Sequence, residues 1–80
     1  MTVGIVVKER ILQLCEAHDL SINKLSTISG VTQSTVNNII SGRNNSATVS
    51  TIKKLCDGLG ITLGEFFSTP EFDNSEQEIV

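Results

Sequence analysis

The chain has 80 residues, of which 39% are hydrophobic; there are three Phe, no Trp or Tyr, and a formal net charge of −3. That length holds one domain around a single small core, and no run of about 18 apolar residues exists to span a membrane. Two cysteines without a CxxC pair, and a single histidine, exclude a recognisable zinc site, and no other metal or cofactor is expected.

The opening MTVGIVVKER becomes charged too early for a signal peptide, so a cytoplasmic location is expected. The first helix is predicted from Val3 or Val6 to Ala17, because Val7, Ile11, Leu14 and Cys15 fall on one face. Ile5 and Leu12 fall off that stripe and read either as a contact surface or as scattered surface residues. The helix gives way near His18 and Asp19; His18 reads as a surface residue compatible with a helix C-terminus.

A second helix is predicted over about Ile22 to Ser29 and a third over about Gln33 to Ser41. Ser21 and Thr32 stand at the N-cap positions, where a hydroxyl accepts from a free backbone N–H. Gly30 supplies the left-handed conformation that ends one helix before the next begins. Leu25 and Ile28 are expected to face inward from the second helix. Two short helices on a glycine turn fit a helix-turn-helix. On the third helix, Val36, Ile39 and Ile40 share one side, while Gln33, Ser34, Asn37, Asn38 and Ser41 share the other. That outer side is amide and hydroxyl without charge. It reads either as a solvated face or as a surface for base edges, since amides both donate and accept as an adenine edge requires.

A polar loop, Gly42 to Ala47, is followed by a fourth helix from a Thr48 cap, with Val49, Ile52, Leu55, Cys56 and Leu59 as its core stripe. Gly58 and Gly60 mark its end, and their spacing to Gly64 does not make a dinucleotide-binding turn. A fifth helix begins at the Thr62-x-x-Glu65 capping box, with Leu63, Phe66 and Phe67 as its apolar face, and stops at Pro70. Residues 69–80 are expected to form an acidic, flexible tail beyond a domain of residues 1–68. Both thiols are expected to be buried, unpaired apolar groups.

Charge is unevenly placed. Residues 1–64 hold six basic groups against four acidic ones, whereas residues 65–80 hold five acidic groups and no base. The helical part is therefore mildly basic, too weakly for tight binding to a polyanion by one copy alone. No pairing of carboxylates, histidine or serines suggests catalysis, so no enzyme activity is expected.

The segments LSINKLSTISGVTQSTVNNIISGR and TVSTIKKLCDGLGITLGEFF resemble the Cro/phage-repressor-like (XRE-type) helix-turn-helix family, over about residues 5–68. The resemblance implies an all-α, compact five-helix, lambda-repressor-like domain whose third helix enters the major groove of double-stranded DNA, as a homodimer. It implies base and phosphate contacts from Gln33 and base contacts from Ser34 and Asn38, and Asn37, beside them, is expected to face base edges too. Contacts to the backbone or a neighbouring base are implied from Arg43 and Asn44, and further backbone contacts are expected from Ser21, Asn23, Lys24, Thr32 and Ser41. Ile22 departs from the family, which often has a Gln there that touches phosphate and braces the first residue of the third helix. Lys24 stands where Glu is frequent. Cys15 and Ile40 replace an Arg–Glu pair found in many relatives; two packed apolar groups avoid the roughly 3–5 kcal/mol cost of one unpaired buried charge. Cys15 is thus expected near Ile40.

The function implied is a sequence-specific transcriptional regulator. A rival is a protein-interaction module, such as an antitoxin or anti-repressor subunit, reaching a protein partner through the acidic tail. A third reading lays that tail over the third helix as a phosphate mimic.

Overall fold

The structure, a computed structural model, describes residues 1–41 and 47–79. Among these there is no strand, and six helical elements follow one another: α1 Val3–Ala17, α2 Ile22–Ser29, α3 Gln33–Ile40, α4 Val49–Leu59, α5 Leu63–Phe66 and α6 Pro70–Asp73. The polar loop, including Gly42, Arg43 and Asn44, lies largely outside the described residues.

Local sequence sets these boundaries. Thr2, Ser21, Thr32, Thr48 and Thr62 each cap a helix by accepting from the backbone N–H three residues on. At Thr62 the box is complete, since the Thr62 N–H donates back to Glu65 Oε1 at 3.0 Å. Gly30 and Gly60 end α2 and α4 with φ of +67° and +72°, a region open to glycine without strain.

The core joins Ile11, Leu14 and Cys15 of α1 to Leu25 of α2, Val36 and Ile39 of α3, Ile52, Leu55, Cys56 and Leu59 of α4, and Phe66 of α5. Ile40 is half-buried against this same core, so Cys15 and Ile40 contribute apolar surface to one interior. Arg10 ties α1 to the end of α5. Its Nε and Nη2 donate to the carbonyls of Phe66 and Glu65, both at 2.7 Å, and Nη1 donates to Gln13 Oε1 at 2.6 Å. A guanidinium at a helix C-terminus satisfies carbonyls that have no partner within the helix.

Four apolar expectations are corrected. Ile28 is 39% exposed, because the buried stripe of α2 is centred between Leu25 and Ser26; at 100° per residue Ile28 sits roughly 110° away from that centre. Beside Leu25 near that centre the residues are small: Ser26 is buried and Ser29 faces Gly58 of α4. A Cβ at Gly58 would lie 2.9 Å from Ser29 Cα. Val49 is 68% exposed, since the first turn of α4, with Thr48 and Ser50, is exposed as a whole. Val6, outside the expected stripe, is only 3% exposed.

The fourth concerns the C-terminal segment. Pro70 does end α5, but it also starts α6 at its first helical position, where a missing N–H costs nothing and the fixed φ suits a helix. Phe72 then packs beside Phe66 and Phe67, with ring centroids 6.1 and 4.8 Å apart. Further on, the Glu76 N–H donates to the Met1 carbonyl at 2.9 Å. This segment therefore packs against α1 and α5, and the domain has a sixth helical turn instead of five helices and a loose end.

Candidate nucleic-acid interface

The helix-turn-helix is built from the inside out. Gly30 turns the chain, the Val31 N–H returns to the Ser26 carbonyl at 3.3 Å, and the Val31 side chain is buried. Val36 and Ile39 pin α3 to the core. With those anchors fixed, helical geometry forces the opposite side outward. Gln33, Ser34, Asn37, Asn38 and Ser41 are all exposed.

No charged residue interrupts that surface. Among the described residues, no hydrogen bond engages the side chains of Ser34, Asn37 or Asn38, so their donors and acceptors face outward. The Ser41 hydroxyl donates to the Asn38 carbonyl at 3.3 Å.

Gln33 is held from one side. Its Nε2 donates to Asn23 Oδ1 on α2. Ile22, the preceding residue, is half-buried against the core, so the amide one position later braces the first residue of α3. Sequence reasoning assigned Asn23 to phosphate and missed this bond. The signal available was a second amide beside Ile22, whose reach depends on how α2 and α3 cross.

Around this face lie the N-termini of α2 and α3, with Ser21 Oγ accepting from the Lys24 N–H at 3.1 Å and Thr32 Oγ1 from the Thr35 N–H at 3.3 Å. The first turns of α1 to α4 contain no acidic residue, whereas α5 and α6 carry Glu65, Glu71 and Asp73 in theirs. The positive ends of α2 and α3 are thus left uncancelled for an anion. Lys24, the one charged side chain on α2 and α3, is exposed beside them. Arg10 is not available, being committed to α5, and Lys53 pairs with Asp57 along α4. Arg43 and Asn44 lie outside the described residues.

Elsewhere the chemistry is quiet. Both cysteines are free and buried. Burial pushes the Cys15 thiol pKa up, and burial followed by the neighbouring Asp57 pushes up that of Cys56. No group of three His, Cys, Asp or Glu among the described residues could hold a metal ion.

A helix-turn-helix family model matches residues 11–66, which takes in every element from the core of α1 to α5. The chain belongs to the Cro/phage-repressor-like helix-turn-helix family. This is a family of DNA-binding transcriptional regulators and not of enzymes. Among curated proteins, the HTH-type transcriptional regulator PuuR of Escherichia coli (strain K12) is 30% identical over 77 residues, and PuuR of Shigella flexneri matches equally. The match covers 96% of this chain but spans only 41% of the length of either relative. Among solved structures, the prophage Lp1 protein 11 superposes with a TM-score of 0.80 at 38% identity, covering 88% of this chain and 92% of that one. The family match confirms the fold expected from the two sequence segments, apart from the sixth helical turn. No helix among the described residues is long and apolar enough to cross a membrane.

Proposed function

We propose that this chain is a cytoplasmic, sequence-specific regulator of transcription that lays α3 in the major groove of double-stranded DNA and performs no catalysis. The observation that supports this most is the exposed, uncharged face of Gln33, Ser34, Asn37 and Asn38, with the Gln33 amide already oriented by Asn23. In this reading those four side chains read base edges, with Asn or Gln suited to adenine. Ser21, Asn23, Lys24, Thr32, Ser41, Arg43 and Asn44 line the phosphates, aided by the N-termini of α2 and α3. Asn23 serves both tasks: its Oδ1 holds Gln33 and its Nδ2 is left for a phosphate.

The small positive charge of residues 1–64 makes a single copy a weak binder. A homodimer on two half-sites about one helical turn apart supplies the missing affinity. Regulation follows from occupying the operator. Residues 1–68 carry the DNA-contacting side chains, and the acidic segment 69–80 is packed onto them through α6.

Selection of bound duplexes from a random pool tests the proposal. A two-fold related consensus is expected, with binding that weakens steeply as salt rises. Recovery of unrelated duplexes only would reject it and favour the rival reading of a protein-binding antitoxin or anti-repressor subunit. The third reading loses its support, since the acidic segment is anchored to α1 and α5 and the face of α3 is exposed.

A further inference from the structure

A second surface lies along α1. Val6, Glu9, Arg10 and Gln13 form one wall of a groove of about 230 Å³, and Thr69 and Glu71 form the other. That volume is below the roughly 300 Å³ at which small-molecule pockets begin, so the groove suits a side chain better than a free ligand. Beside it on α1, Ile5 and Leu12 stand one turn before and one turn after Glu9, on the same helix row. They are 45% and 39% exposed. Neither supports the core, and neither belongs to the DNA face.

Charge selects the occupant. Glu9 and Glu71 face the groove from opposite walls and are exposed. The adjoining C-terminal segment adds Asp73, Glu76 and Glu78 with no base. The one cation lining the groove among the described residues, Arg10, is turned into the end of α5, with its Nε and Nη2 on two carbonyls and Nη1 on Gln13. A second copy of this chain would set like carboxylates against each other, so the surface is unsuited to self-association.

We propose that the α1–α6 groove and its Ile5–Glu9–Leu12 row form a docking surface for a basic amphipathic segment of a partner protein. A lysine or arginine enters between Glu9 and Glu71, and aliphatic residues of the segment cover Ile5 and Leu12. The site is separate from the face of α3, so the partner binds the regulator with or without DNA.

The test uses the full chain and a synthetic helical peptide with leucine at i, i+3, i+4 and i+7 and lysine between. Controls are its scrambled form and its glutamate counterpart. Amide NMR shifts are expected at Ile5, Glu9, Leu12, Gln13, Thr69 and Glu71, and not at Asn37 or Asn38. The E9Q/E71Q double variant is expected to bind the peptide about three- to tenfold more weakly while keeping its melting temperature and its DNA affinity. Four results would overturn the proposal: equal binding of scrambled or acidic peptide, shifts centred on α3, no effect of the double variant, or self-association through Ile5 and Leu12.

Discussion

Gln33 at the start of α3 donates its side-chain amide to the side-chain carbonyl of Asn23 on α2. The bond fixes which end of the Gln33 amide faces outward before DNA arrives. It leaves Gln33 Oε1 and its second N–H free, the acceptor–donor pair that matches an adenine edge. Asn23→Ala is therefore expected to lose about 0.5–1.5 kcal/mol of specific binding, concentrated at the base pair that Gln33 is proposed to read. Competition assays against duplexes altered at each position measure this. A loss spread evenly over all sequences would instead make Asn23 a phosphate contact alone.

Asn38 lies on the exposed face with its amide unengaged among the described residues. Asn38→Ala is expected to cost about 1–3 kcal/mol and to relax preference at one base pair, read in the same competition series. A variant with unchanged base preference would remove Asn38 from the reading face.

Arg43 follows α3 on the proposed phosphate-contacting loop. Arg43→Ala is expected to weaken binding uniformly across sequences and to reduce the salt slope by about one. Equal slopes for the two proteins would show that Arg43 neutralises no phosphate.

The support beneath the site makes its own demand. Gly58 allows α4 to approach α2 at Ser29, where an added Cβ would lie 2.9 Å from backbone. Alanine gains about 1 kcal/mol in helix preference but incurs about 1–3 kcal/mol of overpacking. Gly58→Ala is thus expected to lower stability by up to about 2 kcal/mol in urea unfolding. Nearby, Ser26 Oγ is buried without a partner among the described residues. Ser26→Ala removes that orphan and is expected to be neutral or stabilising by about 1 kcal/mol. A clear loss in Ser26→Ala would mean that its hydroxyl is satisfied in solution.

These same residues show what the sequence could and could not reveal. Caps and helix-ending glycines act within three or four residues, so Ser21, Thr32, Thr48, Gly30 and Gly60 were legible in the letters alone. Period alone also placed Val36 and Ile39 inside and the amides of α3 outside. It failed where a helix presents a small residue to a neighbour: Ile28 was expected inward, but Ser29 meets α4 because Gly58 lets it come close. Contacts between one helix and another were invisible for the same reason. Asn23 with Gln33, Arg10 with the end of α5, and Phe72 with Phe67 depend on how helices cross, which local pattern does not encode.

The buried thiols add a pH-dependent contribution to stability on the alkaline side. Burial raises the pKa of Cys15 and Cys56 above the value of an exposed thiol. The native state then holds these protons after the unfolded chain has begun to lose them. Their contribution is complete below the unfolded pKa and is lost as pH rises toward the folded one. Unfolding free energy is expected to show no thiol-dependent slope near neutrality and to fall above about pH 9. The steepness of that fall should drop in Cys15→Ala and Cys56→Ala, once their lower baseline stabilities are subtracted; an unchanged slope in both would refute the linkage.

The most direct measurement compares the intact chain with a variant carrying Gln33, Ser34, Asn37 and Asn38 all as alanine. Each is titrated against a selected duplex and a scrambled one at about 0.15 M salt. The intact chain is expected to prefer its selected site by at least about a thousandfold. The folded variant should bind both duplexes with the same weak, salt-sensitive affinity. Retained discrimination in the variant, or none in the intact chain, would contradict the claim that the bare face of α3 reads DNA.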